Sequence, residues 1–174
     1  MAENRALVVI DLQNDITKNY RSIIGAVNTA LEWADRQGIP VVYIRHEELS
    51  EGARAFRPGT RGTEAVPEMR PVPGHVFVKH RTNALTSEAF TEFIAQNGLE
   101  GFIVCGADAT ACVKSTCYNM RRAGYAVTVL SDCVTSYAPE KLPEMLKYYE
   151  GRGCTLMTAG ELTGVTGGKE SENE

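Results

Sequence analysis

The sequence predicts an α/β domain of three layers, α/β/α, with helices covering both faces of a six-stranded, mostly parallel, Rossmann-like sheet. Three observations carry that expectation. Short runs of β-branched and aliphatic residues alternate with longer stretches whose apolar residues recur every three to four positions, which is the pattern of βα units feeding a parallel sheet. Glycine and proline fall mainly at the joins between these stretches. A length of 174 residues with 43 % hydrophobic content suffices for one well-buried core and is short for two.

The elements follow in order. Leu7-Val8-Val9-Ile10 reads as the first strand. A helix follows from about Tyr20 to Gln37, because Ile24, Val27, Leu31 and Ala34 share one face and Gly38 with Pro40 ends it. Pro40 to Ile44 is the second strand. Residues 50 to 74, rich in Gly, Pro, Arg and Glu, read as a long surface loop, and loops of that length in a compact domain tend to be functional. His75 to Lys79 is the third strand, and Thr86 is the expected cap of a helix that Gly98 closes. Gly101 to Cys105 is the fourth strand, Ala111 to Ala123 a helix, and Ala126 to Leu130 the fifth strand. A helix from about Pro139 to Glu150 accommodates Pro143 only in or near its first turn, and Cys154 to Met157 is the last strand. One domain over 1–166 is expected, with a polar, disordered tail at 167–174 and no internal repeat.

Composition excludes several classes of partner. Counting 18 Lys and Arg against 22 Asp and Glu gives −4, so no basic footprint exists for nucleic acid or an anionic membrane. No apolar run approaches the ~20 residues that span a bilayer, and the charged start Met1-Ala2-Glu3-Asn4-Arg5 lacks the form of a signal peptide. Five cysteines, an odd number without CxxC spacing, argue for free thiols in a reducing compartment, hence a cytoplasmic protein.

In a parallel sheet, ligands bind beyond the carboxyl ends of the strands. Three reactive side chains fall there: Asp11 after the first strand, Lys79 at the end of the third, and Cys112 at the start of the helix after the fourth. Singly, they read as a turn residue, a solvated lysine and a packing cysteine. Together they meet the needs of a thiol nucleophile. A free thiol is mostly protonated at neutral pH, a helix N-terminus and an ammonium stabilise the thiolate, and a carboxylate can take the thiol proton and return it to a leaving amine.

These residues sit in segments that resemble the isochorismatase-like cysteine hydrolases. Val8-Val9-Ile10-Asp11-Leu12-Gln13-Asn14-Asp15 is similar to their opening motif, and Phe77-Val78-Lys79 with Asn83-Ala84-Leu85 to their lysine strand and turn. Gly106-Ala107-Asp108-Ala109-Thr110-Ala111-Cys112-Val113 with Thr116 resembles their nucleophile segment, and Pro58-Gly59-Thr60 with Gly62, and Gly124-Tyr125-Ala126-Val127 before Asp132, fit the same order. The resemblance spans roughly residues 6 to 162. It implies a catalytic triad of Asp11, Lys79 and Cys112, a cis peptide between Ala107 and Asp108, and an oxyanion hole from the backbone N–H groups of Asp108 and Cys112. Ala109 stands where many members carry Thr, and the unusual Asp108 carboxylate either alters substrate choice or caps the following helix.

Metal-binding relatives, the nicotinamidases, carry Asp-x-His after the second strand and a further His downstream. The corresponding stretch here is Arg45-His46-Glu47-Glu48, and His46 with Glu48 do not make a closed site, so no metal is expected and His46 reads as a surface residue. His75 and His80 also read as structural or solvent-facing. The turn from Gly106 to Ala111 lacks the further glycines of a dinucleotide loop, so no cofactor is expected. Cys105, Cys117, Cys133 and Cys154 read as packing residues. Arg45, at the end of the second strand, is the first candidate for a substrate carboxylate, and Gln13 and Asn83, from the resembling segments, join it as expected substrate contacts.

The expected activity is hydrolysis of a small amide or ureido C–N bond through a thioester. The alternatives are vinyl-ether hydrolysis, which gives the thiol no task, and a non-catalytic family member. The expected partner is a small-molecule substrate, and the resemblance implies further copies of the chain, as a dimer or tetramer whose long loop helps to close the site.

Overall fold

A computed structural model describes residues 4–167 of the chain. The aliphatic runs pair as β1 (Arg5–Ile10), β2 (Val41–His46), β3 (His75–Lys79), β4 (Gly101–Ala107), β5 (Ala126–Thr135) and β6 (Thr155–Met157). They form one six-stranded sheet in the order β3-β2-β1-β4-β5-β6, with every pairing parallel. Parallel strands need crossovers, and four of the five connections are helical: α1 (Ile24–Gln37), α2 (Glu88–Gln96), α3 (Cys112–Arg122) and α4 (Leu142–Gly151), with α5 (Ala159–Gly167) after β6, while β2 reaches β3 through the long loop, which carries only a 3-10 turn at Arg61–Thr63.

Strand periodicity sorts the core into two layers. Val8, Ile10 and Val104 face α2, α3 and α4 and pack among Phe90, Val113, Met120 and Tyr149. Leu7, Val9, Ile103 and Cys105 face α1 and α5 and pack among Val27, Leu31, Trp33 and Leu162. Burial on both faces explains why β1 and β4 are almost uniformly apolar.

The elements differ from the sequence reading at their ends, where long-range contacts decide. A 3-10 turn over Lys18–Ser22 precedes α1, and Gly38 closes α1 in the left-handed region at φ 67°. Ser87, one residue past the expected Thr86, caps α2 by accepting from the Phe90 N–H. Pro143 is the second residue of α4, where no helical hydrogen bond is lost. β2, β4 and β5 each run further than their aliphatic stretch, and β5 carries a register shift between the pairs Val104–Val129 and Gly106–Val134. Helix α5 was not anticipated. Thr158 caps it, with the Glu161 N–H donating to Thr158 Oγ1 at 3.0 Å and that hydroxyl donating to Glu161 Oε1 at 3.2 Å. The tail expected at 167–174 lies outside the described residues, save Gly167, the last residue of α5.

Strand order reverses at β1, whose neighbours are β2 and β4, so the crevice of the fold opens beyond the carboxyl ends of these strands. Gly106 sets how closely β4 approaches β1 there. A Cβ at Gly106 would lie 2.1 Å from the Ile10 carbonyl oxygen, and its φ is 123°.

Candidate active site

The residues after β1 tie three elements together. Asp11 leaves the strand at φ 54° and donates its N–H to the Ile44 carbonyl at 3.1 Å. Its side chain is buried at the crevice. Gln13 pairs with the backbone of His46, accepting from its N–H at 2.9 Å and donating to its carbonyl at 2.8 Å, and donates also to Thr63 O at 3.0 Å. Asn14 donates to Arg61 O, and Asp15 accepts from the Phe56 N–H at 2.8 Å, so the motif pins the long loop to the sheet.

The three strand-end residues meet. Lys79 is the last residue of β3, with its side chain fully buried. Its Nζ lies 3.0 Å from Asp11 Oδ2, 3.0 Å from His46 Nδ1 and 3.4 Å from Cys112 Sγ. An ammonium has three hydrogens and no lone pair, so these three contacts account for it completely. His46 is therefore not the surface residue its neighbours in sequence suggested: its side chain is 14 % exposed and its ring meets the edge of Phe56. Register pairs His46 with Lys79 across β2 and β3, which puts both on the face of the sheet that carries Ile44. Reading β2 two residues further would have found it.

Cys112 opens α3, and it alone among the five cysteines is not fully buried. The turn before it contains a cis peptide between Ala107 and Asp108. Asp108 holds that turn: Oδ1 accepts from the N–H and hydroxyl of Thr110, each at 2.8 Å, and Oδ2 from the Tyr137 N–H at 3.0 Å. The carboxylate thus caps the turn. The backbone hydrogen bonds of the turn use the N–H groups of Ala109, Ala111 and Val113, and those of Asp108 and Cys112 are not among the donors. No side chain caps the N-terminus of α3, so the positive end of the helix lies at Cys112 without a side-chain acceptor.

The electrostatics of the three residues compete. Burial pushes the Asp11 carboxyl up, against the Lys79 ammonium, which favours its charged form. Burial pushes the Cys112 thiol up to about 12, and the Asp11 carboxylate adds to the rise while Lys79 opposes it. The ammonium therefore does not suffice to hold a thiolate at rest. The proton stays on sulfur beside a carboxylate able to receive it. Burial and then Lys79 push the His46 imidazole below its usual range, while Asp11 and Glu48 pull it the other way.

The other expected site residues make no side-chain hydrogen bond or ion pair with Asp11, Lys79 or Cys112 among the described residues. Arg45 alternates to the opposite side of β2 from His46, donates to Thr63 Oγ1 at 2.6 Å and pairs with Glu47 at 3.3 Å. It lines a cavity of about 420 Å³ with Leu12, Tyr43, Val66, Met69 and Val76, and no triad residue borders that cavity. Asn83 uses Oδ1 to accept from the Leu85 N–H and so caps a short turn, and the Gln13 amide is engaged as described. Among the described residues, no three His, Cys, Asp or Glu side chains converge as metal ligands. His46 Nδ1 faces the Lys79 ammonium, which leaves Nε2 and Glu48, 3.8 Å apart, as too small a donor set for a cation. Among the described residues no helix is long and apolar enough to cross a membrane.

Known proteins resemble the chain along most of its length. The family model described as Isochorismatase domain matches residues 5–161. The uncharacterized isochorismatase family protein YddQ of Bacillus subtilis (strain 168) is 30 % identical over 140 residues, 75 % of this chain and 78 % of that protein. Nicotinamidase 3 of Arabidopsis thaliana is 23 % identical over 148 residues, 78 % of this chain and 75 % of that protein. The crystal structure of N-carbamoylsarcosine amidase from Thermoplasma acidophilum shares the fold, with a TM-score of 0.80 at 24 % identity over 90 % of this chain and 96 % of that one.

Proposed function

The chain belongs to the isochorismatase family and is a hydrolase, and on that premise we propose that it cleaves the C–N bond of a small amide or ureido compound with Cys112 as nucleophile. The observation that carries this reading is the Lys79 ammonium set between the Asp11 carboxylate and the Cys112 sulfur. Two of the similar proteins, a nicotinamidase and an N-carbamoylsarcosine amidase, bear the names of amide-cleaving enzymes.

In the first step Sγ attacks the substrate carbonyl while the thiol proton passes to Asp11, whose Oδ1 is buried and without a hydrogen-bond partner. The carbonyl π pair moves to oxygen, and the N–H groups of Asp108 and Cys112 receive the developing charge. Collapse of the adduct breaks the C–N bond, and Asp11 returns the proton to the departing nitrogen. Water then attacks the thioester, Asp11 takes its proton, and the C–S bond breaks to release the acid and restore the thiol. Lys79 keeps Asp11 charged before each transfer.

A homo-oligomer belongs to the same reading. Tyr137 stands next to the Asp108 turn with its side chain exposed, and Leu49 is exposed on the long loop. A second copy seated there would shield the thiol from water.

The test is Cys112→Ala, assayed against a panel of small carboxamides and N-carbamoyl compounds. Hydrolysis is expected to vanish while the circular dichroism spectrum is unchanged. Activity retained within about tenfold, ~1.4 kcal/mol of barrier, refutes the nucleophile assignment.

A further inference from the structure

We propose that His46 is a positioning residue of this site: as the neutral tautomer with its hydrogen on Nε2, it accepts the third hydrogen of the Lys79 ammonium and holds that ammonium between Asp11 and Cys112. The inference rests on the reading of Cys112 as nucleophile and adds a fourth member to the cluster.

The geometry leaves the tautomer little freedom. Lys79 Nζ is 3.0 Å from His46 Nδ1, and a buried ammonium can only donate. Nδ1 must therefore present its lone pair, and the ring hydrogen lies on Nε2, on the side of Glu48 at 3.8 Å. The ring is itself held. Gln13 binds the His46 backbone on both N–H and C=O, and the Phe56 ring packs edge-on at 5.5 Å. Phe56 is anchored in turn by Asp15, so one motif, Asp11 to Asp15, supplies the triad carboxylate and fixes the histidine beside it.

Protonating His46 would place an N–H against the ammonium. Three charged groups face the ring besides Phe56: Lys79 from β3, Asp11 from the end of β1, and Glu48 from the long loop. Once His46⁺ forms, repulsion displaces Lys79, and both its grip on Asp11 and its contact with sulfur are lost. The thiol then has no ammonium beside it, and the carboxylate that would take its proton is no longer held in place by Lys79. The acid limb of Cys112 reactivity is thus assigned to the imidazole, and it falls below the ordinary imidazole range because burial and Lys79 disfavour the charged ring.

The experiment needs no substrate. The rate at which iodoacetamide alkylates Cys112 is followed from pH 4.5 to 9 by peptide mass spectrometry on the full chain, for wild type, His46→Ala and His46→Asn. Asn can present a carbonyl oxygen near the position of Nδ1 but does not titrate. Wild type is expected to lose reactivity through an inflection below about 6.5, the unperturbed imidazole value. His46→Ala is expected to be slower by about tenfold at pH 7.5, part of the ~10²-fold that a misplaced group can forfeit. His46→Asn is expected to recover most of that rate and to lack the inflection. An inflection that persists in His46→Asn belongs to Asp11 and overturns the proposal, as does a wild-type profile without one or a His46→Ala rate equal to wild type. If His46→Ala fails to fold, the His46→Asn profile decides alone. A wild-type Cys112 inert at every pH refutes the nucleophile reading and this inference with it, whereas a reactive Cys112 indifferent to His46 refutes this inference only.

Discussion

Replacing Lys79 with Met removes the ammonium and keeps most of the side-chain volume, and the structure sets the size of the effect. Asp11 is 2 % exposed, its Oδ1 has no partner, and Lys79 is the hydrogen-bond donor to Oδ2. Removing one partner of a buried ion pair costs about 3–5 kcal/mol, because the other charge stays behind unpaired. At about 2–4 °C per kcal/mol for a chain of this size, Tm should fall by about 6–20 °C at pH 7.5. The sign of the pH dependence follows from Asp11. Burial already raises its folded pKa against the pull of Lys79, and without Lys79 the rise is larger. A carboxyl with a raised folded pKa favours the folded state at low pH, and that contribution is lost as pH rises through the folded value. The deficit of Lys79→Met relative to wild type should therefore shrink from pH 7.5 toward pH 5, as the buried carboxyl takes up its proton. The double variant Asp11→Asn/Lys79→Met should recover most of the loss at neutral pH. Thermal melts followed by circular dichroism at both pH values provide the measurement. A deficit below about 1 kcal/mol at neutral pH, or one of equal size at both pH values, would refute the buried pair as the organising charge of the site.

Two further outcomes are expected. Gly106→Ala drives a Cβ into the Ile10 backbone at a φ of 123°, and should cost about 3 kcal/mol or more through overpacking and backbone strain; a urea midpoint equal to that of wild type would contradict this. Light scattering at micromolar concentration should return a multiple of the chain mass, and a value near 19.0 kDa would sink the oligomer expectation.

What could be read in advance was what local pattern encodes. The alternation of aliphatic runs with amphipathic stretches predicts a parallel sheet, and the rule that ligands gather at strand ends selects Asp11, Lys79 and Cys112. The aliphatic run of β2 stops at Ile44, and the alternation that places His46 on the face of Lys79 shows only when the strand runs on to His46. Gln13 lies in a segment that invited a ligand-binding role, yet its amide partners are the backbones of His46 and Thr63, residues far along the chain. Helix α5 is poor in helix formers, with Gly160, Thr163 and Gly164, and only the Thr158-x-x-Glu161 spacing marked its start. The charge balance at sulfur was beyond reach for a different reason. A helix end and a lysine near a cysteine predict a thiolate, but burial and the carboxylate outweigh them, and burial is a property of the assembled fold.

If Cys112 is the nucleophile proposed above, a sulfur that keeps its proton until a carbonyl arrives has a consequence for oxidation as well. Peroxide reacts with the thiolate, and the ladder from sulfenic to sulfonic acid begins with that encounter. With its thiol pushed up to about 12, Cys112 would reach its reactive form only while Asp11 holds the proton. A cysteine held permanently ionised by its neighbours would react with a carbonyl as readily, and would be consumed by every stray oxidant between turnovers. On the proposed reading, a base placed beside the sulfur, rather than a proton removed in advance, would confine the nucleophile to the moment of use.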